Sequence, residues 1–151
     1  MESAIKTWKS GRKIILEILN AHTPEQLNKI PDGFNNNLIW NIGHVIVVQQ
    51  LVLYKRMGLD TLMPEYLIDL YRPGTKPGRE ISIAEIDELR ELLNSLILVT
   101  EKDLESRQFP PYQPWTTRTG FHLASWEDAI AFNNFHEGLH LGYMLSIRKL
   151  V

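Results

Sequence analysis

His136 and His140 stand four residues apart in a stretch, roughly Trp126 to Leu150, whose apolar residues recur at helical spacing. Four residues of α-helix turn through about 400°, so the two rings lie only about 40° apart on the helix surface. One ion can be chelated from such a face, and neutral imidazole suits zinc, nickel, copper or iron. Spacing alone is a weak signal, but the neighbours strengthen it. Phe132, Leu139, Tyr143 and Met144 make the face read as core, where two unpaired imidazoles would be costly. His44 is the expected third ligand. It sits near the middle of the most apolar segment, with Trp40 and Val48 one turn away on either side. A buried histidine standing alone is more often a hydrogen-bonded core residue; beside a histidine pair, ligation is the better reading. Three imidazoles leave a coordination position open, as catalytic zinc sites do and structural ones do not. Imidazole must be neutral to ligate, so metal loss is expected below about pH 6.

The same residues form two other patterns. His136-Glu137-Gly138-Leu139-His140 matches H-E-x-x-H, in which the histidines bind zinc and the glutamate is the general base. A full protease site is not expected, because only eleven residues follow His140 and no strand is visible to hold a peptide. Glu137 is kept as a weak catalytic candidate that could hydrogen-bond a metal-bound water; the alternative is an inter-helix or solvent-facing carboxylate. Glu137 with His140 also reads as E-x-x-H, the unit of di-iron bundles. The second unit is missing, since Asn41 stands where a carboxylate should precede His44. Of the other histidines, His22 is expected to be solvated at a helix end. His122, with Tyr112, Trp115 and Arg118, is a weak candidate for lining a substrate pocket.

Positioning these histidines takes helices. Four segments carry the helical period: Ala4 to Leu19, Asn36 to Met57, Ile83 to Ser106 and Trp126 to Leu150. An asparagine among Asn35, Asn36 and Asn37 can cap the second, and Gly58 is a natural stop. Ser82 with Glu85 fits a capping box, and Ser125 with Asp128 repeats it in variant form. Gly138 and Gly142 lie one turn apart inside the last helix; each costs about 1 kcal/mol against alanine, and close approach of another helix is the expected compensation. Two connections are long. Leu59 to Ile81 has room for a short helix near Glu65 to Leu70. It can also span roughly 70 Å when extended, against about 33 Å for a 22-residue helix, so the second and third helices can be parallel. Arg107 to Ala124 carries three prolines with Tyr112 and Trp115. Loops of this length tend to be functional. No β pattern is apparent.

The bulk numbers narrow the function. The 151 residues suffice for a single domain, 1–151, with one core. A net charge of −2 without any basic block argues against nucleic acid and against a membrane surface. The chain has no cysteine, which removes disulfides, thiolate metal sites and cysteine nucleophiles. Any thiol in the chemistry must come with a small molecule. The absence of a signal-peptide pattern and of a long apolar run gives a soluble, cytoplasmic protein as the expectation.

Trp40-Asn41-Ile42-Gly43-His44-Val45, followed much later by His136 and His140, resembles the DinB-like superfamily. Its branches include YfiT-like metal-dependent hydrolases and the bacillithiol- and mycothiol-dependent transferases. The stretch from Thr116 to Ala129, and Asp69 to Thr75 in the long connection, are also similar to members of that group. The resemblance implies an all-α, up-down-down-up four-helix bundle with the long crossover between its second and third helices. It implies a divalent transition metal, nickel or zinc, on His44, His136 and His140, and a homodimer. It leaves the reaction on a small-molecule substrate open between thiol S-transfer, with a low-molecular-weight thiol as cosubstrate, and hydrolysis. A non-catalytic metal- or ligand-binding module related to stress, and a plain scaffold, stand as the other readings.

Overall fold

A computed structural model describes residues 1–106 and 109–151. Four long helices dominate it: α1 (Glu2–Ala21), α3 (Leu38–Leu53), α5 (Ile83–Glu105) and α6 (Trp126–Ile147). Between them lie two short helices, α2 (Pro24–Asn28) and α4 (Glu65–Tyr71), and a two-stranded hairpin of β1 (Trp115–Thr116) and β2 (His122–Leu123). α1 packs on α5 and α6, and α3 packs on α5 and α6; α2 and α4 lie against α3, and β2 against α6.

The local signals act largely as the sequence suggests. The Asn37 side chain accepts the Trp40 amide and starts α3. Ser82 and Glu85 form the reciprocal capping box of α5, and Ser125 accepts the Asp128 amide at α6. α3 is buried on every side from Leu38 to Gln50, in keeping with its apolar middle.

Several boundaries and one element differ from expectation. The second helical segment stops at Leu53 and tightens into a 3₁₀ turn, Lys55–Met57, closed by Gly58 at φ 75°. α2 is one turn held by a Thr23–Gln26 capping box, too short to show a period. The hairpin corrects the expectation of no β structure: its strands are two residues each, so no alternation can appear, and its turn is set by Gly120 at φ 91°. The long connection expected from Arg107 begins outside the described residues, which resume at Phe109. Gly138 and Gly142 also read differently. Among the described residues, no side chain and no other element of the chain lies within 4 Å of a Cβ placed at either. The close approach occurs instead at Gly43, where a Cβ would lie 2.6 Å from the Tyr71 ring.

The apolar interior falls into two clusters. One gathers Ile15, Ile18 and Leu19 of α1, Leu38 to Val47 of α3, Ile86 to Leu96 of α5, and Met144 and Ile147 of α6. The other gathers Ile5 and Trp8, Val48 to Leu53, Ile97, and Ala129 and Ile130. The boundary between them is polar. Arg12 and Gln49 lie on it, and so does α6 between Asn133 and Glu137. Among the described residues no helix is long and apolar enough to cross a membrane.

Candidate metal centre

Where α3 meets α6, the three histidines converge. One ring nitrogen from each of His44, His136 and His140 lies within 4.8 Å of the others. Ring centroids are 4.7 Å apart for His44 and His140, 4.6 Å for His136 and His140, and 5.2 Å for His44 and His136.

Two of the rings are oriented by partners on their outer nitrogens. His44 Nδ1 is 2.6 Å from the Tyr71 carbonyl oxygen. A carbonyl only accepts, so Nδ1 carries the proton and Nε2 is left with a free lone pair. His140 Nδ1 is 2.8 Å from Asn41 Oδ1. The Asn41 amide nitrogen donates to Asn36 Oδ1 and to the Asn37 carbonyl, which turns its oxygen toward His140 and again frees Nε2. Gly43 makes the first arrangement possible, because its missing side chain lets Tyr71 seat against α3. Trp40 stacks on His44 at 4.6 Å and 14° and fixes the plane of that ring. Asn41 and Tyr71 are contributions that motif reading missed. Asn41 was visible only as the residue that spoils an E-x-x-H unit, and a backbone carbonyl leaves no mark in sequence.

The electrostatics favour neutral imidazoles. Burial lowers His44 below its ordinary value, opposed in part by the Tyr71 carbonyl. Burial, then repulsion from His44, brings His136 down to about 4. Burial, then His136 and His44, brings His140 down to about 3. Protons therefore compete for these nitrogens only in more acidic solution than free histidine would require. This moves the expected onset of metal loss below the pH of about 6 anticipated from unperturbed imidazole. A transition metal fits the group on its own chemistry: one nitrogen from each of three imidazoles lies within 4.8 Å of the others, and the buried Nδ1 of His136 has no hydrogen-bond partner among the described residues.

The other sequence candidates separate. Glu137 neighbours His136 in the chain but does not join the imidazoles. Its carboxylate accepts from Trp8 Nε1 at 2.8 Å, from Arg12 Nε at 2.8 Å and Nη2 at 2.7 Å, and from Asn133 Nδ2 at 2.9 Å. Arg12 also donates to Gln49 Oε1 and to the Leu93 carbonyl. Glu137 thus ties helices together behind the site, the inter-helix alternative weighed from the sequence. Trp115 and Arg118 line a cavity of about 860 Å³ that His44 and His136 also line. Tyr112 does not line it; it accepts a hydrogen bond from Trp115 Nε1 and packs edge-on to Trp126. His122 is exposed on β2, 3.1 Å from Thr116 Oγ1, and is also absent from the cavity wall. His22 is half-buried, and its Nδ1 bonds the Ile18 carbonyl at the end of α1. Leu139 and Tyr143, which read as core, are 52% and 55% exposed. Leu139 forms part of the cavity wall instead, beside Lys55, Phe121 and Phe135.

The fold and the histidine geometry define a mostly helical protein with a three-histidine group of a size that can hold one metal ion. The chain belongs to the DinB superfamily, whose profile matches residues 7–144. Among solved structures, a conserved protein from Enterococcus faecalis is similar with a TM-score of 0.72, covering 99% of this chain and 95% of that one. At 15% identity the likeness is one of fold. No curated protein matches the chain.

Proposed function

We propose that the protein is a metal-dependent enzyme acting on a small molecule, either a thiol S-transferase or a hydrolase, with nickel or zinc on His44, His136 and His140. One observation carries the reading: three imidazole nitrogens converge within 4.8 Å beside a cavity of about 860 Å³. A metal held there would lower the pKa of a water or a small-molecule thiol reaching its open position and so supply a nucleophile near neutral pH. The chain's own residues do the rest. Tyr71 and Asn41 keep Nδ1 of His44 and His140 protonated and turn their Nε2 atoms to the common locus, while the apolar wall around Phe132 limits water.

The same proposal takes residues 1–151 as one domain, an up-down-down-up bundle of α1, α3, α5 and α6, cytoplasmic and homodimeric. Cluster membership supports the bundle. The beginnings of α1 and α6 share one apolar cluster with the ends of α3 and α5. The end of α1, the beginnings of α3 and α5, and the end of α6 share the other. The segment joining α3 to α5 is then the long crossover.

The test is turnover by nickel- or zinc-loaded protein of a model electrophile, with and without a low-molecular-weight thiol, beside a His44→Ala variant. The proposal predicts turnover that the variant loses. Thiol dependence would mark a transferase and independence a hydrolase. Equal turnover in the variant would remove the metal mechanism, and metal binding without turnover would favour a non-catalytic binding module.

A further inference from the structure

We infer that the cavity beside the imidazoles selects an organic anion: an aromatic or alkyl body bearing one anionic oxygen group, whose charge is met by Lys55 and Arg118. The inference rests on reading that cavity as the chamber of the metal site, and adds the class of molecule it admits.

The volume, about 860 Å³, suits a small organic molecule. The wall is mainly apolar, and Phe121, Phe135 and Leu139 contribute to it while remaining 40%, 47% and 52% exposed. Apolar surface left open in one concave place is surface that a ligand's body would cover.

The charges on the wall have one sign. Lys55, Arg56 and Arg118 line the cavity, and among the described residues no aspartate or glutamate does. The chain as a whole has 18 acidic residues against 16 lysines and arginines, so three cations without an acid is not the average surface. Six cations elsewhere pair with carboxylates, namely Lys6, Lys9, Arg12, Arg72, Arg79 and Arg90. Others among the described residues, such as Lys13 and Lys149, do not, but only Lys55, Arg56 and Arg118 meet in this one cavity. Among the described residues, Lys55, Arg56 and Arg118 have no carboxylate within ion-pair distance. Arg56 lies over the Trp115 ring, 4.9 Å from its centroid, and is engaged there. Lys55 and Arg118 are left. They come from two elements, the 3₁₀ turn after α3 and the β1–β2 turn, and reach the same chamber. Unpaired cations beside an apolar wall raise the local potential and attract an anion more strongly than the same charges in open solvent. A neutral molecule of the same shape gains only the apolar contact.

A matched pair of fluorescent probes tests this: 8-anilinonaphthalene-1-sulfonate and its uncharged analogue N-phenyl-1-naphthylamine. Both are titrated into the full chain, zinc-loaded and chelator-treated. The expected result is a sulfonate affinity at least about tenfold tighter than that of the neutral probe in both forms. The preference should shrink to within about twofold in a Lys55→Gln, Arg118→Gln variant. It should persist in Lys13→Gln, Lys149→Gln, which removes the same charge away from the cavity. Equal affinities in the wild type would overturn the inference. So would a preference that survives in the cavity variant, or one lost equally in the distant variant. A preference that vanishes with zinc would also overturn it, assigning the anion to the metal and leaving the metal reading intact. A chain that takes up no metal yet keeps a Lys55- and Arg118-dependent preference would retain this inference and remove the metal reading.

Discussion

At the scale of single residues, the site is three imidazoles and the groups that aim them. Asn41 is the most informative of the latter, since it has no contact with the locus where the nitrogens meet and acts only through His140. Asn41→Ala is expected to weaken zinc binding roughly 10- to 100-fold, the usual cost of losing an outer hydrogen bond to a ligating histidine. Competition against a chelator of known affinity measures it, and unchanged affinity would mean that the His140 ring needs no partner. Acid has a second, separate effect. In the unfolded chain the histidines titrate near 6.5, whereas in the metal-free fold His136 and His140 titrate near 4 and 3. Between those values the unfolded state binds more protons, so stability is complete above about pH 6.5 and falls as pH drops. Each imidazole held neutral at pH 5 should cost about 2 kcal/mol relative to pH 7. Urea unfolding of the chelated protein at the two pH values checks this, and a His136→Ala, His140→Ala variant should show a smaller fall. The histidines were legible in the sequence because residue type and i, i+4 spacing are local properties. The Tyr71 carbonyl was not, because it arrives from another helix.

At the scale of elements, α6 uses two adjacent residues in different ways. His136 joins the histidine group, and Glu137 joins the buried tie to α1. Arg12 in that tie is 2% exposed and Glu137 is 4%. Arg12→Met would leave the carboxylate buried beside Trp8 and Asn133 alone, and is expected to cost about 3–5 kcal/mol in chemical denaturation. A loss under about 1 kcal/mol would show that water reaches the site. α3 and α4 are joined more closely. Gly43→Ala places a methyl group against the Tyr71 ring, so α4 must shift and carry away the carbonyl that orients His44. The expected outcome is a stability loss of about 1–3 kcal/mol together with weaker metal binding. Stability falling with metal affinity intact would separate the two effects. The four long helices were readable from their apolar period, and their starts from Asn37, Ser82 and Ser125. The glycines were not. Gly138 and Gly142 suggested a close contact that the described residues of this chain do not make, while Gly43 looked like part of a motif and carries one with Tyr71. Only the neighbouring element decides between these cases.

At the scale of the whole molecule, the polar tie lies between two apolar clusters, and the cavity runs from His44 and His136 along the second of them, past Val48, Val52, Trp115 and Phe132. A ligand that binds only the folded chain adds its binding free energy to the stability of that fold. Zinc at 100 times its dissociation constant should therefore raise unfolding stability by about 2.7 kcal/mol, seen as a higher Tm that chelation reverses. The cavity was only half legible. Trp115 and Arg118 were reasonable choices because they lie in a long connection ahead of α6. Lys55 and Phe135 were not, since a cavity exists only once separate elements have assembled around it. Tyr112 and His122 share the same connection but fall outside the wall: His122 pairs with Thr116 rather than with Trp115 in the hairpin, and Tyr112, ahead of the hairpin, packs on Trp126. Metal content decides the central claim most directly. Protein purified without a histidine tag, incubated with zinc or nickel and desalted, is compared with the His136→Ala, His140→Ala variant by elemental analysis. The account predicts about one equivalent in the wild type at neutral pH and almost none in the variant. No metal in either protein, or equal metal in both, would contradict it.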